Sequence, residues 1–180
     1  MINEIKQIQA NAKLLHSAQE VELALDNMAE QINLRLLDSN PLVLCVMNGG
    51  VVAAGKLLTR LAMPLTVDAI NASRYQNKTA GGTIEWVLKP VTSLQDRTVL
   101  IVDDVLDEGI TLAAIKQYCL DQGATAVYSA VLIEKDLGHE KPTQADFIGL
   151  TVPNLYLFGY GMDYKGYLRN APGIFACQTV

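Results

Sequence analysis

Two stretches of this sequence place a helical pattern between two short apolar runs, and this feature constrains the fold more than any other. An uninterrupted apolar run suits a strand that is buried on both faces, as in parallel sheets. Parallel neighbours need a crossover connection, which a helix usually supplies. The runs and helical segments lie at 42–47, 51–61 and 65–70 in the first stretch, and at 98–102, 112–120 and 126–133 in the second. The pattern therefore predicts an α/β fold with repeated strand–helix–strand units.

A further helix is predicted before the first unit. Ser17 and Glu20 have the spacing of a capping box, in which each side chain satisfies a free backbone N–H at the start of a helix. Apolar residues follow at steps of three and four as far as Leu36, and the segment 38–41 ends the pattern. We expect this helix to pack against the sheet and to carry no site.

Length and composition limit the number of domains and the kind of partner. The chain has 180 residues, of which 50% are hydrophobic, and this suffices for one buried core but not for two ordinary domains. A net charge of -5 disfavours nucleic acid and anionic membranes, because phosphate polyanions are not attracted to such a surface. We therefore expect a single domain over 1–180 that binds a small molecule.

The cysteines and the N-terminus indicate the compartment. Cys45, Cys119 and Cys177 lie far apart in apolar runs, without the spacing of a zinc site or a redox motif. The sequence shows no signal peptide and no apolar window long enough to span a bilayer. These observations predict free thiols and a cytoplasmic protein outside the membrane.

A long polar segment with glycine separates the two units. Residues 71–82 are more than a compact domain usually needs for a connection, and such loops are often lids. Residues 83–88 then alternate apolar and polar side chains, as a half-exposed strand does. We expect 71–88 to form a mobile hairpin.

The main candidate for a functional site is the acidic turn after the strand at 98–102. Gly109 lets the backbone approach a ligand, and the helix start favours an anion. Asp103 and Asp104 would lie beside that anion and repel it. Ribose hydroxyls or Mg²⁺ between the two carboxylates and the anion could offset this repulsion. An ordinary solvated turn is an equal alternative on the residues alone. The amides that would converge belong to Glu108, Gly109, Ile110 and Thr111.

Residues 99–112 resemble the signature with which type I phosphoribosyltransferases bind 5-phosphoribosyl-1-pyrophosphate (PRPP). The resemblance implies that Asp103 and Asp104 bind the ribose hydroxyls and that the turn 107–111 holds the 5-phosphate. It implies that Asp107 is the catalytic residue, which accepts a proton from the purine ring. It also implies a central, mostly parallel sheet flanked by helices, with a core at 38–150. A small hood would be built from the N-terminal helix and residues 151–180, and 71–88 would be a flexible lid.

Two more segments resemble the pyrophosphate loop and the lid of the hypoxanthine-guanine branch of this family. The loop would hold pyrophosphate through Asn48, Gly49 and Gly50, assisted by Arg169. Asn48 stands where some relatives have lysine, so pyrophosphate would depend more on amides and Mg²⁺. The lid would contain Ser73, Arg74 and Tyr75, although relatives often have serine and tyrosine adjacent. Without the signature, the first segment reads as a plain turn and the second as an exposed hairpin loop.

The C-terminal part of the resemblance concerns the base. Lys135 would donate to the oxygen at position 6 of a purine and so reject adenine. Tyr156 would stack on the base, Leu157 would present backbone groups to its edge, and Asp163 would bind Mg²⁺ directly or through water. From the residues alone, a solvated lysine beside Asp136 is the favoured interpretation of Lys135, and a core aromatic is the usual interpretation of Tyr156.

The resemblance implies a purine salvage enzyme. It would transfer the 5-phosphoribosyl group from PRPP to N9 of hypoxanthine or guanine, giving a nucleoside monophosphate (IMP or GMP) and pyrophosphate. Mg²⁺ would be the cofactor, held by Asp103, Asp104 and Asp163, and a homodimer or homotetramer is expected. A xanthine-preferring transferase and a non-catalytic regulator that senses PRPP or nucleotide are the alternatives.

Overall fold

The computed structural model describes residues 1–74 and 84–178, with every side chain in those ranges except that of Arg74. Tyr75 and most of the predicted loop 71–82 therefore lie outside the described residues. The helices are α1 (Ile2–Asn11), α2 (Ala18–Leu36), α3 (Val51–Leu58) and α4 (Ile110–Asp121). The strands are β1 (Lys13–Ser17), β2 (Leu42–Val46), β3 (Thr66–Arg74), β4 (Ile84–Leu88), β5 (Thr98–Leu106), β6 (Ala126–Asp136), β7 (Phe147–Pro153), β8 (Leu157–Phe158) and β9 (Gly173–Ala176).

A six-stranded sheet with the order β4-β3-β2-β5-β6-β7 forms the centre of the fold. Every neighbouring pair is parallel except β3 and β4, which form an antiparallel hairpin. Both predicted units are present, as β2-α3-β3 and β5-α4-β6, and the predicted α/β fold is confirmed. The strand β5 extends beyond the predicted run to Leu106, so the acidic pair lies at the end of the strand.

Helices cover both faces of this sheet. Leu25, Met28 and Ile32 of α2 are fully buried in a core shared with α3, β2 and β6. On the other face, Leu112 and Ile115 of α4 pack in a second cluster with residues of β2, β3 and β5. Because every position of β2 is buried, the apolar run at 42–46 contributes to both cores. Truncation of one such leucine or isoleucine to alanine typically costs about 2–5 kcal/mol.

The predicted capping box starts α2. The Ser17 side chain accepts a hydrogen bond from the Glu20 amide at 3.3 Å, and the Ser17 amide donates to the Glu20 carboxylate at 2.7 Å. The helix then runs from Ala18 to Leu36, as the apolar spacing predicts. A cap of this type stabilises a helix by about 1 kcal/mol.

A second, three-stranded sheet with the order β1-β9-β8 joins the two ends of the chain. Lys13 pairs with Ala176 and Ser17 with Gly173, so the residues before α2 hydrogen-bond to the C-terminal segment. The sequence patterns did not predict α1, β1, β7 or β9.

A charged cluster attaches the C-terminal segment to the helices. Glu22 of α2 pairs with Lys56 at 2.5 Å and with Arg60 at 2.6 Å, and it accepts a hydrogen bond from the Tyr160 hydroxyl at 2.9 Å. The hydrogen bond from Lys56 lowers the pKa of Glu22 below its usual value, although burial opposes this. The cluster fixes the start of the loop that carries Asp163.

The cysteines of the described ranges are all free, as predicted. Cys45 and Cys119 are buried and Cys177 is half-buried. Burial raises the pKa of Cys45 to about 11 and that of Cys119 to about 12. Within residues 1–74 and 84–178, no helix is both long enough and apolar enough to cross a membrane.

Candidate active site

A cavity of about 200 Å³ opens where β5 and β6 end and the C-terminal loop passes over the sheet. The carboxyl ends of strands are where ligands bind in open α/β sheets. Six of the predicted site residues line this cavity: Asp104, Asp107, Lys135, Tyr156, Leu157 and Asp163. Val105 and Met162 complete the lining and were not predicted, because an apolar residue beside a motif gives no signal that separates it from core.

Asp103 and Asp104 are adjacent carboxylates at the end of β5. The Asp104 side chain is buried, and the Asp104 amide donates to the Asp103 carboxylate at 2.9 Å. Burial raises the pKa of both carboxyls, and the charge of Asp104 raises the pKa of Asp103 further. A buried carboxylate beside a half-buried one is stabilised by hydroxyl donors or by a cation. The pair is therefore not the ordinary solvated turn of the alternative interpretation.

The Asn48–Gly50 segment lies directly against the acidic pair. A Cβ atom on Gly49 would be 2.1 Å from the Asp104 carboxylate, and one on Gly50 would be 2.6 Å from the Val102 carbonyl oxygen. Only glycine fits at position 50, where the close atoms are backbone, whereas a Cβ on residue 49 would displace the Asp104 side chain. The peptide bond between Met47 and Asn48 is cis. The Gly50 amide donates to the Val46 carbonyl at 2.8 Å, so it is engaged within the protein.

The predicted phosphate turn opens α4. Gly109 is the N-cap residue and has a left-handed φ of 77°, which glycine adopts without strain. Ile110 is the first helical residue, and a cavity of about 100 Å³ lies over the turn. Its lining includes Asp103, Asp107, Glu108, Gly109, Ile110 and Thr111. The turn and the N-terminus of the helix thus face one concavity, as anion binding requires.

Lys135 and Asp107 form an ion pair in the wall of the 200 Å³ cavity. Their Nζ and Oδ2 atoms are 3.0 Å apart, and their side chains are 13% and 48% exposed. Lys135 extends from β6, and Asp107 follows β5 directly. The lysine is thus largely buried and directed at the acidic turn, which contradicts the alternative of a solvated lysine.

The C-terminal loop supplies the opposite wall. Tyr156 is 54% exposed, and its ring meets that of Tyr164 edge-on at 5.6 Å between centroids. A ring with this exposure lies at the mouth of the cavity and not in the core. Leu157 is buried and pairs through its backbone with Ala176.

Asp163 and Arg169 form a second ion pair, at 2.7 Å. Asp163 also accepts a hydrogen bond from the Gly166 amide at 2.6 Å, while Arg169 donates to the Gly161 carbonyl at 2.6 Å. A Cβ atom on Gly161 would be 2.0 Å from the Gly49 carbonyl oxygen. This close approach joins the C-terminal loop to the Asn48–Gly50 segment, so two predicted pyrophosphate segments are neighbours.

The described part of the predicted lid is the base of a hairpin. Ser73 pairs with Glu85 and Arg74 with Ile84, both across the β3–β4 ladder. Tyr75 and the Arg74 side chain lie outside the described residues. The lid therefore stays a prediction.

The predicted metal ligands fit Mg²⁺ only together with a substrate. Among the described residues, no group of three or more His, Cys, Asp or Glu side chains could hold a metal ion, so Asp103, Asp104 and Asp163 are not a preformed cage. Mg²⁺ usually binds through one or two carboxylates, with substrate phosphates and water completing its shell. The adjacent Asp103 and Asp104 satisfy that requirement.

Comparison with known proteins identifies the family. Residues 11–165 match the family described as phosphoribosyl transferase domain. The hypoxanthine-guanine phosphoribosyltransferase of Lactococcus lactis is 30% identical over 161 residues, which are 89% of this chain and 87% of that protein. The prediction of a phosphoribosyltransferase from residues 99–112 is confirmed.

Solved structures agree with this match. A hypoxanthine-guanine phosphoribosyltransferase from Bacillus anthracis superposes with a TM-score of 0.87 at 25% identity, over 92% of this chain and 98% of that one. A hypoxanthine-guanine-xanthine phosphoribosyltransferase gives a TM-score of 0.84, also at 25% identity, over 93% and 97% of the two chains. The chain therefore belongs to the phosphoribosyltransferase family and, within it, to the group of hypoxanthine-guanine phosphoribosyltransferases.

Proposed function

We propose that this protein transfers the 5-phosphoribosyl group from PRPP to N9 of hypoxanthine or guanine and releases pyrophosphate. The Lys135–Asp107 ion pair carries this proposal, because it sets a donor and an acceptor 3.0 Å apart in the wall of the cavity. Hypoxanthine and guanine have an acceptor oxygen at position 6, where adenine has an amino donor. Lys135 would donate to that oxygen, whereas adenine would place an amino donor against the ammonium group.

Asp107 is the proposed catalytic residue. Its carboxylate is half-exposed and faces the cavity beside Lys135, where a purine ring nitrogen would lie next to the oxygen at position 6. Accepting the ring proton there would keep electron density on the base as N9 attacks C1 of PRPP. Tyr156 would cover the face of the purine, and Leu157 would contact its edge through backbone groups.

The neighbouring cavity over the helix start is the proposed place of the 5-phosphate. The amides of residues 108–111 and the α4 dipole would hold the phosphate, while Asp103 and Asp104 would accept hydrogen bonds from the ribose hydroxyls. Mg²⁺, when bound, neutralises the charge that develops on the pyrophosphate oxygens. Asp103 and Asp104 would bind this ion with PRPP, and Asp163 would reach it directly or through water.

Pyrophosphate would leave past the Asn48–Gly50 segment. Gly49 would contribute a backbone amide, Gly50 would keep the segment close to β5, and Arg169 would contribute a cation. Asn48 would contribute an uncharged side chain. Closure of the segment that contains Ser73, Arg74 and Tyr75 would exclude water, which could otherwise hydrolyse PRPP.

We also propose the organisation in which this reaction takes place. The core at 38–150, a hood from the N-terminal helix and residues 151–180, and the lid at 71–88 would form one domain over 1–180. A homodimer or homotetramer in the cytoplasm is proposed, and the free thiols support a reducing compartment. No nucleic acid or membrane partner is proposed, in keeping with the net charge of -5.

Xanthine is the second candidate base. It has the same oxygen at position 6, so the Lys135 contact does not separate it from hypoxanthine. The similarity to a hypoxanthine-guanine-xanthine phosphoribosyltransferase supports its inclusion among the bases to be tested.

A spectrophotometric assay tests the proposal. The purified protein is mixed with PRPP, Mg²⁺ and, separately, hypoxanthine, guanine, xanthine or adenine. We expect turnover with hypoxanthine or guanine, loss of turnover in EDTA, and none with adenine. PRPP binding without turnover of any base would refute the proposed reaction and favour a regulator that senses PRPP.

A further inference from the structure

Lys141 places a cation beneath the candidate active site. Its side chain is only 8% exposed although lysine is usually a surface residue. The ammonium group donates to the Lys135 carbonyl at 2.6 Å and to the Leu106 carbonyl at 3.3 Å, and it pairs with the Glu134 carboxylate at 3.4 Å. An ammonium group has three N–H donors, and these three acceptors use all of them.

The two carbonyl groups belong to the segments that carry the ion pair of the active site. Leu106 precedes Asp107, and the other carbonyl is that of Lys135 itself. Leu106 and Glu134 are the last paired residues of β5 and β6, so Lys141 binds where the pairing of the two strands ends. One buried cation therefore fixes the backbone on both sides of the Lys135–Asp107 contact.

The segment around Lys141 also lies along the phosphate turn. A Cβ atom on Gly109 would be 3.3 Å from the Lys141 Cβ and 3.5 Å from the Pro142 Cδ. The His139 ring nitrogen Nε2 is 3.5 Å from the Glu108 carboxylate. Lys141 itself does not line the 200 Å³ cavity, whereas Lys135 lines both that cavity and a second one of about 240 Å³ that includes Lys141. Lys141 thus lies outside the 200 Å³ cavity, behind Lys135.

We propose that Lys141 is a positioning residue, which holds Lys135 and Asp107 at the spacing that a 6-oxopurine requires; this rests on the proposed function above. Two side chains that must meet the oxygen and the ring nitrogen of one base at the same time tolerate little displacement. A shift of about 1 Å in a reacting group can cost about a hundredfold in rate. Lys141 touches no substrate, so its effect passes through Lys135 and Asp107.

Lys116 provides a matched control. It donates to the Gln144 carbonyl at 2.8 Å and pairs with Asp146 at 3.2 Å, and its side chain is 20% exposed. It therefore anchors the far end of the same segment, by the same chemistry, at α4 and away from the cavity. Substitution of either lysine would disorder residues 137–146. Only substitution of Lys141 would also displace Lys135 and Asp107.

The experiment compares Lys141→Met, Lys141→Arg and Lys116→Met with the unsubstituted protein. The KM for hypoxanthine is the decisive value, because it does not depend on the fraction of folded enzyme. We expect Lys141→Met to raise this KM about tenfold and to lower kcat/KM about ten- to hundredfold. Lys141→Arg, which keeps the charge and the donors, should restore most of the loss, and Lys116→Met should keep the KM within about twofold of its original value.

An unchanged KM for hypoxanthine in folded Lys141→Met would overturn the positioning role, and so would an equal rise in Lys116→Met. If Lys141→Met does not fold, Lys141→Gln keeps an amide donor in the same place and is tested with the same expected direction. Absence of turnover in the unsubstituted protein would refute the proposed function itself, so the two failures are distinguishable.

Discussion

Replacing Lys135 by methionine should remove recognition of the base while leaving the fold intact. The substitution keeps most of the apolar stem and deletes the ammonium group, which lies 3.0 Å from Asp107. In the free protein it breaks one ion pair. In the complex it also removes the proposed donor to the oxygen at position 6.

The exposures of the two side chains predict how large each effect is. The Lys135 side chain is 13% exposed, so its hydrogen bond to a base would be well shielded from water. A hydrogen bond from a charged group contributes about 1.5–3 kcal/mol, which corresponds to roughly 10- to 150-fold in kcat/KM. Asp107 is 48% exposed and stays hydrated without its partner, so the cost in stability should be about 0–1 kcal/mol. The melting temperature should then fall by less than about 4 °C.

Steady-state kinetics with hypoxanthine and with adenine, together with a thermal melt, measure both effects. The Lys116–Asp146 pair has exposures of 20% and 37%, so Lys116→Met is a control for the loss of a comparable ion pair. We expect Lys135→Met to lower kcat/KM for hypoxanthine and to reduce the ratio of the kcat/KM values for hypoxanthine and adenine. Lys116→Met should leave both the activity and this ratio unchanged. Undiminished discrimination against adenine in Lys135→Met would refute the base-reading role.

Three further changes test other parts of the site and the fold. Asp107→Asn should lower kcat by about 10²–10⁴-fold with little effect on nucleotide binding by calorimetry, and unchanged turnover would exclude Asp107 from the chemistry. Gly49→Ala places a Cβ 2.1 Å from the Asp104 carboxylate and should raise the KM for PRPP at least about tenfold, whereas Gly55→Ala, where nothing lies within 4 Å, should leave it unchanged. The pKa of Glu22 is lowered in the folded state, so the stability that its charge contributes to the folded protein is fully present above the unfolded pKa of 4.5. This contribution is lost as the pH falls through the folded pKa. Urea unfolding should therefore show Glu22→Gln less stable than the original at about pH 7 and the difference shrinking below about pH 4.5; a difference independent of pH would contradict this ionic role.

The parts of the fold that could be predicted have local causes. The capping box of Ser17 and Glu20 and the apolar run at 42–46 act within a few residues, so they can be read without knowledge of the partner strands. The strand β7 was missed because Gly149 interrupts its pattern. A Cβ atom there would be 2.6 Å from the Leu132 carbonyl oxygen and 2.8 Å from the Met28 sulfur, so the glycine is required by the packing of α2 on the sheet.

In the candidate site, too, the features with local causes could be predicted and those that depend on distant contacts could not. The acidic turn at 103–111 is contiguous, and its resemblance to a family signature led to the cavity. The role of Gly161 depends on its approach to the Gly49 carbonyl, more than a hundred residues away in the chain. Lys141 depends on carbonyl groups of two strands, and a lysine in a polar segment has no pattern that distinguishes it from a surface residue. Contacts of this kind become visible only in three dimensions.

The most direct test of the central claim is a competition among bases. The protein is incubated with PRPP, Mg²⁺ and an equimolar mixture of hypoxanthine, guanine, xanthine and adenine, and the nucleoside monophosphates are identified by mass spectrometry. We predict IMP or GMP as the main product, with pyrophosphate released in equal amount and no AMP. AMP as the main product, or no nucleotide at all, would contradict the assignment of this site to 6-oxopurines.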